Sequence, residues 1–304
     1  MFYHGRMRVE YREEACRTAL NKVKGMAFPW SLNPYTGCVH RCTFCYVRAF
    51  ELRADRPFDD RYGRSIRVKV NVAEVLAREL ARPSWSKELV TIGAATDPYQ
   101  PAEGRYRLTR ACLEVLGSAA SPLGIITRGP LIVRDVDVLQ EAARRTGVSV
   151  TFSVPTLDHD VWQKTEPGTA PPRQRLRALT KLVDAGIKAS VGMAPILPGI
   201  SDRPEQLADV IKAARDAGAT GIWANVLFLR PGTKEHFLEA LARDWPEQLE
   251  RYDELYADRA YLPRHDVDPV RRQVRELARE HGVRDRRKTR LEPPPEPVQL
   301  SLGV

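Results

Sequence analysis

A chain of 304 residues, 43% apolar and 29% charged, is long enough for one large α/β domain or two ordinary ones and has the balance of a globular protein. With 48 Lys and Arg against 39 Asp and Glu, the formal net charge is +9. That excess suits a polyanionic partner such as DNA or RNA, or belongs to an arginine-rich surface with no such partner. No run approaches the ~18 apolar residues of a membrane span, so no membrane partner is expected. The opening "MFYHGRMRVEYREEACR" lacks the apolar stretch of a secretory signal, and five cysteines, three of them clustered, do not form a disulfide framework. A reducing cytoplasm is the expected setting.

Residues 1–27 read as an N-terminal extension. A first strand is expected before "GCVHRCTFCY", and a βα alternation follows from about residue 85. Its apolar strand segments are "ELVTIGA" (88–94), "PLGIIT" (122–127), "VSVTFSV" (148–154), "KASVGMA" (188–194) and "GIWANVLF" (221–228). Segments with apolar residues three and four apart lie between them. In the clearest, Leu207, Val210, Ile211 and Ala214 share one face, Asp202 is placed to cap the helix, Pro204 suits its first turn and Gly218 its end. The triplets "DAG" starting at Asp184 and Asp216 repeat a helix-end, glycine, strand phrase at the length of one βα unit. About six strands are too few for a closed eight-stranded barrel, so an open or partial parallel barrel over residues 28–232 is expected. Helices follow over 233–283, and a basic, proline-rich tail, "RDRRKTR" then "LEPPPEPVQLSLGV", occupies 284–304.

Chemistry concentrates in "SLNPYTGCVHRCTFCYVRAF" (31–50), where Cys38, Cys42 and Cys45 are spaced C-x3-C-x2-C. In parallel α/β folds a loop after the first strand sits on the rim that carries function. Zinc, held by the three thiolates with His40 or His4, is one candidate, although no second cysteine knuckle is present. An iron–sulfur cluster is the other. A four-iron cube normally takes four thiolates, so three leave one iron open to a nitrogen and an oxygen ligand, such as the amino and carboxylate groups of S-adenosylmethionine (SAM).

The cysteine spacing, with Phe44 just before the last thiol on the loop after the first strand, resembles the signature of the radical SAM superfamily. "NPYTGCVHRCTFCY", "TDPYQPAE", "EPGTAPPRQRL" and "APILPGISD" are similar to its spore photoproduct lyase-like, or DNA-repair-photolyase-like, branch over roughly residues 20–240. Within that branch the chain resembles actinobacterial-type proteins of unknown substrate. The resemblance implies a [4Fe-4S] cluster on Cys38, Cys42 and Cys45, reductive cleavage of SAM to a 5′-deoxyadenosyl radical, and an external flavodoxin or ferredoxin as electron donor.

The same resemblance distributes the SAM contacts over strand ends. Phe44 and Tyr46 are expected on the adenine side, with packing as the alternative for Tyr46. Thr96 and Asp97 fall where the superfamily usually carries Gly-Gly-Glu, so Asp97 is expected to meet the methionine amino group, or else to form an Asx-turn before Pro98. Arg128 stands where relatives often carry lysine and is matched to the SAM carboxylate. Ser153 offers a hydroxyl, and Glu166 and Arg175 form either part of the cofactor site or a surface salt bridge. Pro195 in "APILPG" lies by the adenine, or marks a turn only. Cys112 reads as core, and Tyr99 and Cys16 are the candidate hydrogen donors. Spore photoproduct lyase carries a hydrogen-donating cysteine just before the threonine loop. Ala94 and Ala95 stand there, a departure from thymine-dimer reversal by that route.

The implied substrate is a nucleic acid or nucleotide, with a peptide or small metabolite as the competing class. A non-catalytic, zinc-stabilised nucleic-acid-binding protein is the reading from a different class.

Overall fold

Along Val148–Ser153, Val148, Val150 and Phe152 are buried in the main hydrophobic cluster, whereas Ser149, Thr151 and Ser153 turn to the other face and line a cavity. The two-residue period of a strand makes that division, and the neighbouring strands repeat it. Val90 and Ile92 pack outward and Thr91 inward; Leu123 and Ile125 pack outward and Gly124 inward; Val191 and Met193 pack outward and Gly192 inward. Small and hydroxylated residues on the inner face leave the interior hollow.

The computed structural model describes residues 9–292. The strands are β1 (Glu10–Glu14), β2 (Leu20–Lys22), β3 (Trp30–Leu32), β4 (Tyr35–Thr36), β5 (Ser65–Lys69), β6 (Val90–Ile92), β7 (Leu123–Thr127), β8 (Val148–Ser153), β9 (Lys188–Ile196) and β10 (Ile222–Val226). The main sheet has the order β10-β9-β8-β7-β6-β3-β2, in which the six strands from β3 to β10 are parallel and β2 is an antiparallel edge. This is the expected six-stranded parallel arrangement, with one edge strand the sequence did not announce. Among the described residues the two sheet edges, β10 and β2, do not pair with each other.

Residues of the amino-terminal segment are tied into this body. Strand β1 runs parallel to β5, which also pairs with β4, in a separate three-stranded sheet. The Glu79 carboxylate accepts from the amides of Ala19 and Leu20, and Asn71 exchanges hydrogen bonds with the backbone of Cys16.

The helices that cover the barrel are α1 (Arg48–Arg53), α2 (Val72–Leu80), α3 (Ala102–Tyr106), α4 (Leu108–Ser118), α5 (Val136–Arg145), α6 (His159–Thr165), α7 (Pro172–Asp184) and α8 (Pro204–Asp216). After β10 come α9 (Thr233–Asp244), α10 (Leu249–Tyr256) and α11 (Arg264–Glu280). Helix α8 buries Leu207, Val210, Ile211 and Ala214 and carries Pro204 in its first turn, and Gly218 follows it with φ of 81°. Its cap differs from expectation: Arg203 is the N-cap, and the Asp202 carboxylate accepts from the Gly199 amide at 2.8 Å, because the turn before the helix competes for it.

The basic run after α11 is partly neutralised. Asp285 receives Arg287 at 2.8 Å and Arg290 at 3.0 Å, and Arg287 also donates to the Gly186 carbonyl at 2.6 Å. The proline-rich stretch from 293 onward and His4 lie outside the described residues.

Candidate active site

The cysteine loop leaves β4 and enters α1, and all three thiols line a cavity of about 730 Å³ inside the barrel. Cys38 and Cys42 are buried and Cys45 is half-buried, and all are free thiols. A volume of this size falls in the range of roughly 300–1,000 Å³ typical of cofactor and ligand pockets.

Contacts from distant parts of the chain fix the loop. Gln100, fully buried, accepts from the Val39 amide at 3.2 Å and donates to the Gly37 carbonyl at 3.1 Å. The Thr43 amide donates to the Thr165 carbonyl at 2.9 Å, the Gly168 amide to the His40 carbonyl at 3.1 Å, and the Thr233 hydroxyl to the Cys45 carbonyl at 3.2 Å. Glycines close the cage. A Cβ on Gly63, at φ of 78°, would stand 2.4 Å from the Cys38 carbonyl oxygen, so only glycine lets the chains approach there. The fully buried Arg48 donates to the Phe58 and Asp59 carbonyls and lies 4.7 Å over the ring of Tyr62, whose hydroxyl is 3.9 Å from Cys45 Sγ.

Burial pushes the Cys38 thiol up to about 12, with the nearby Asp97 adding to the rise. Burial likewise raises Cys42, against the pull of the Arg128 guanidinium. Binding a metal or cluster here therefore displaces protons from these sulfurs.

Phe44, Tyr46, Thr96, Asp97, Arg128, Ser153 and Pro195, all expected at the site, line the same cavity as the thiols. Glu166 and Arg175 do not line it but stand directly behind it. Glu166 is fully buried and pairs with Arg128 through one oxygen and with Arg175, at 2.9 Å, through the other. Arg175, also fully buried, donates in addition to the carbonyls of Ala170 and Ser153, both at 2.8 Å, and to the Thr169 hydroxyl. Surface salt-bridge status is thereby excluded for this pair. Burial raises the Glu166 carboxyl, but the two guanidiniums outweigh it and hold the group below the ordinary carboxylate range. Two arginines around one carboxylate leave a net positive charge, delivered to the cavity by Arg128, whose guanidinium carbon is 5.7 Å from the Phe44 ring.

Asp97 is occupied. One carboxylate oxygen accepts from the Tyr99 amide at 2.9 Å, completing the Asx-turn, and from the Thr127 hydroxyl at 2.7 Å. The other accepts from the Arg128 amide at 2.6 Å and lies 3.4 Å from His40 Nδ1. Burial keeps His40 below its usual pKa, hence neutral, despite that neighbour. Thr96 is held by Asn33, whose side-chain oxygen takes the amides of Ala95 at 2.9 Å and Thr96 at 3.3 Å. Ser153 donates to the Ala194 carbonyl at 3.1 Å, and the Tyr46 hydroxyl donates to the Ala94 carbonyl.

Tyr99 and Cys16 are not brought to the cavity. Tyr99 is buried with its hydroxyl toward Asp135, and Cys16 sits beside Asn71 behind the sheet. Cys112 is fully buried in the main core, as expected. The sequence reading passed over Asn33, Gln100, Arg48, Tyr62, Gly63 and Gly168. Only the alternation of Thr91, Ser149, Thr151 and Ser153 against apolar neighbours announced a hollow interior. Among the described residues, no three His, Cys, Asp or Glu side chains are grouped as a single metal ion would need.

Residues 32–211, from the end of β3 into α8, match the Radical SAM superfamily. An uncharacterized protein of Mycobacterium tuberculosis is 39% identical over 272 residues, 88% of this chain and 80% of that one. A Radical SAM Nalpha-GlyT isomerase of Pseudomonas phage M6 is 27% identical over 169 residues, 55% of this chain and 33% of that one. In fold, spore photoproduct lyase complexed with dinucleoside spore photoproduct superposes with a TM-score of 0.67 at 16% identity, over 89% of this chain and 79% of that one. The matched segment spans the cysteine loop and the four parallel strands β6 to β9, and this chain belongs to the radical SAM superfamily.

Proposed function

We propose that this protein is a radical SAM enzyme in which Cys38, Cys42 and Cys45 bind a [4Fe-4S] cluster and the barrel cavity receives SAM and part of the substrate. The observation that carries the reading is the convergence of three free thiols on one cavity that Arg128 also lines. The donor set fits the group: three caged thiols and room beside them suit a cluster with one coordination position left to a small ligand. Bound there, cluster and SAM together supply a 5′-deoxyadenosyl radical that takes a hydrogen atom from the substrate.

The protein's own part is positioning and shielding. Arg128, held rigid by Glu166 and Asp97, offers the cation for a methionine carboxylate. Asp97, with both oxygens engaged, sets the loop that carries Thr96 and leaves the ammonium to neighbouring carbonyls. Phe44, Tyr46 and Pro195 present apolar surface to adenine, and Ser153 a hydroxyl. A flavodoxin or ferredoxin supplies the electron in a reducing cytoplasm. A nucleic acid or nucleotide is the substrate class, supported by the net charge of +9 and by the fold shared with a protein complexed with dinucleoside spore photoproduct.

Anaerobic reconstitution, followed by dithionite and SAM, tests the reading. The expected result is 5′-deoxyadenosine by mass spectrometry from the wild type and none from Cys42→Ala. A colourless protein carrying zinc and cleaving nothing would overturn it.

A further inference from the structure

The middle of the inner face of the barrel carries the small residues Thr91, Gly124, Ser149, Thr151 and Gly192, and next to Gly192 it meets Trp223 on β10. Trp223 stands in register with Gly192 on β9, and its indole lies over that glycine so closely that a Cβ there would be 2.8 Å from the ring. The indole lines the cavity, yet Trp223 is 45% exposed. Trp30, Trp85 and Trp162 each donate their ring N–H to a side-chain oxygen, whereas those of Trp223 and Trp245 have no partner among the described residues, and of these two only Trp223 lines the cavity. A large flat apolar ring thus faces solvent in a cavity mouth, with its one donor open to solvent or a ligand.

The mouth has two sides. Strand β10 is one edge of the open sheet and brings Trp223 and Asn225 to it, while Met26 and Phe28, in the turn between β2 and β3, line it from the other edge. Arg271 of α11 reaches in and donates to the Asn225 side-chain oxygen at 2.6 Å, leaving the Asn225 amide nitrogen available. Asp268, at 4.0 Å, is the carboxylate nearest Arg271. Arg264, Arg271 and Arg275 recur at helical spacing along one side of α11, and Arg264 and Arg275 are exposed with no ion pair among the described residues. A strip of cations therefore leads away from a mouth that holds an aromatic platform.

Resting on the proposed reaction, we infer that this mouth is a nucleobase subsite: an unpaired base of a nucleic-acid strand stacks on Trp223 while Arg271 and its neighbours on α11 hold the flanking phosphates. A paired base is sandwiched between its neighbours and cannot present a face to the indole, so the occupant is single-stranded or extruded from the duplex. The Asn225 amide is the group that reads the edge of the base, while the Trp223 N–H, in the plane of the stacking ring, points past it.

Fluorescence anisotropy with a short fluorescein-labelled oligothymidylate, titrated with the full chain, tests this. The expected result is tighter binding of that strand than of an abasic strand of equal length or a duplex. Trp223→Ala should weaken binding at least about fivefold and Trp223→Phe much less. Arg271→Ala should lower the slope of log K against log salt by about 0.7, the signature of one lost single-strand phosphate contact. Equal binding of the abasic strand, preference for duplex, or wild-type affinity in a folded Trp223→Ala protein would overturn the inference. A wild type that cleaves SAM but binds no oligonucleotide removes the subsite and leaves the reaction standing. One that binds through Trp223 but holds no iron does the reverse.

Discussion

Gly168 and Val39 meet backbone to backbone: a Cβ on Gly168 would stand 2.3 Å from the Val39 carbonyl oxygen and 2.8 Å from the His40 Cα. No rotamer change relieves such a contact, because both partners are main chain. Gly168→Ala must move either the cysteine loop or the turn after α6. The expected outcome is a folded protein whose iron and acid-labile sulfide after reconstitution fall severalfold. Wild-type iron content in this variant would show that the loop tolerates displacement.

Among the described residues Glu166 is the sole carboxylate within ion-pairing distance of Arg175, and it also pairs with Arg128. Glu166→Gln keeps the shape but leaves the buried Arg175 guanidinium, and the half-buried one of Arg128, without their shared carboxylate. Loss of one partner of a buried pair costs about 3–5 kcal/mol, so a marked fall in the denaturant midpoint is expected at unchanged m. A change below about 1 kcal/mol would mean that the carbonyls around Arg175 suffice.

His236 lies in a second, polar pocket with Arg48 and Arg243, and it is largely buried. Burial, with Arg48 adding to it and Asp60 opposing, lowers its pKa to about 4. In the unfolded chain the imidazole takes a proton near the ordinary value of about 6.5, so acid favours unfolding below that pH until the folded form also protonates near 4. Stability should therefore decline from pH 6.5 to 4, and His236→Gln should flatten part of that decline. Glu166 acts in the same sense further down, since its depressed pKa makes its contribution disappear as the pH falls through the carboxylate range. Urea titrations at several pH values give the check: parallel pH dependence in wild type and variant would remove His236 as a cause.

Five of the six parallel strands were legible because each is a short apolar run in alternation with helix-period segments, whereas β3 was expected only from the place of the cysteine loop. Strands β1 ("EYREE") and β5 ("SIRVK") were not, since β1 is mostly charged and exposed, β5 has only Ile66 and Val68 to bury, and their pairing depends on partners 55 residues apart, as with Glu10 and Ser65. Local spacing identified Cys38, Cys42 and Cys45. The residues that fix them, Asn33, Gln100 and Gly168, carry no local signal, because each meets the loop only after the chain has closed around the barrel. Asp97 was legible by position, yet its role divided between cofactor contact and turn until its four partners could be seen.

Those four partners make Asp97→Asn an uninformative isostere by design and a sharp test in practice. Each carboxylate oxygen faces an obligatory backbone N–H, from Tyr99 on one side and Arg128 on the other. An asparagine has one acceptor oxygen, so whichever way its amide turns, an NH2 group confronts a main-chain donor. Flipping cannot repair this, and an unmade buried hydrogen bond costs about 1–3 kcal/mol, more where the lost acceptor was charged. Asp97→Asn should then destabilise the protein about as much as Asp97→Ala, which at least leaves space for water. The Arg128 amide, once released, loosens the guanidinium that faces the cavity, so SAM binding measured by calorimetry on the reconstituted protein should weaken in both variants. If Asp97→Asn melted like the wild type while losing SAM, the carboxylate would be touching the cofactor itself, and its hydrogen bonds to the two loops would be secondary.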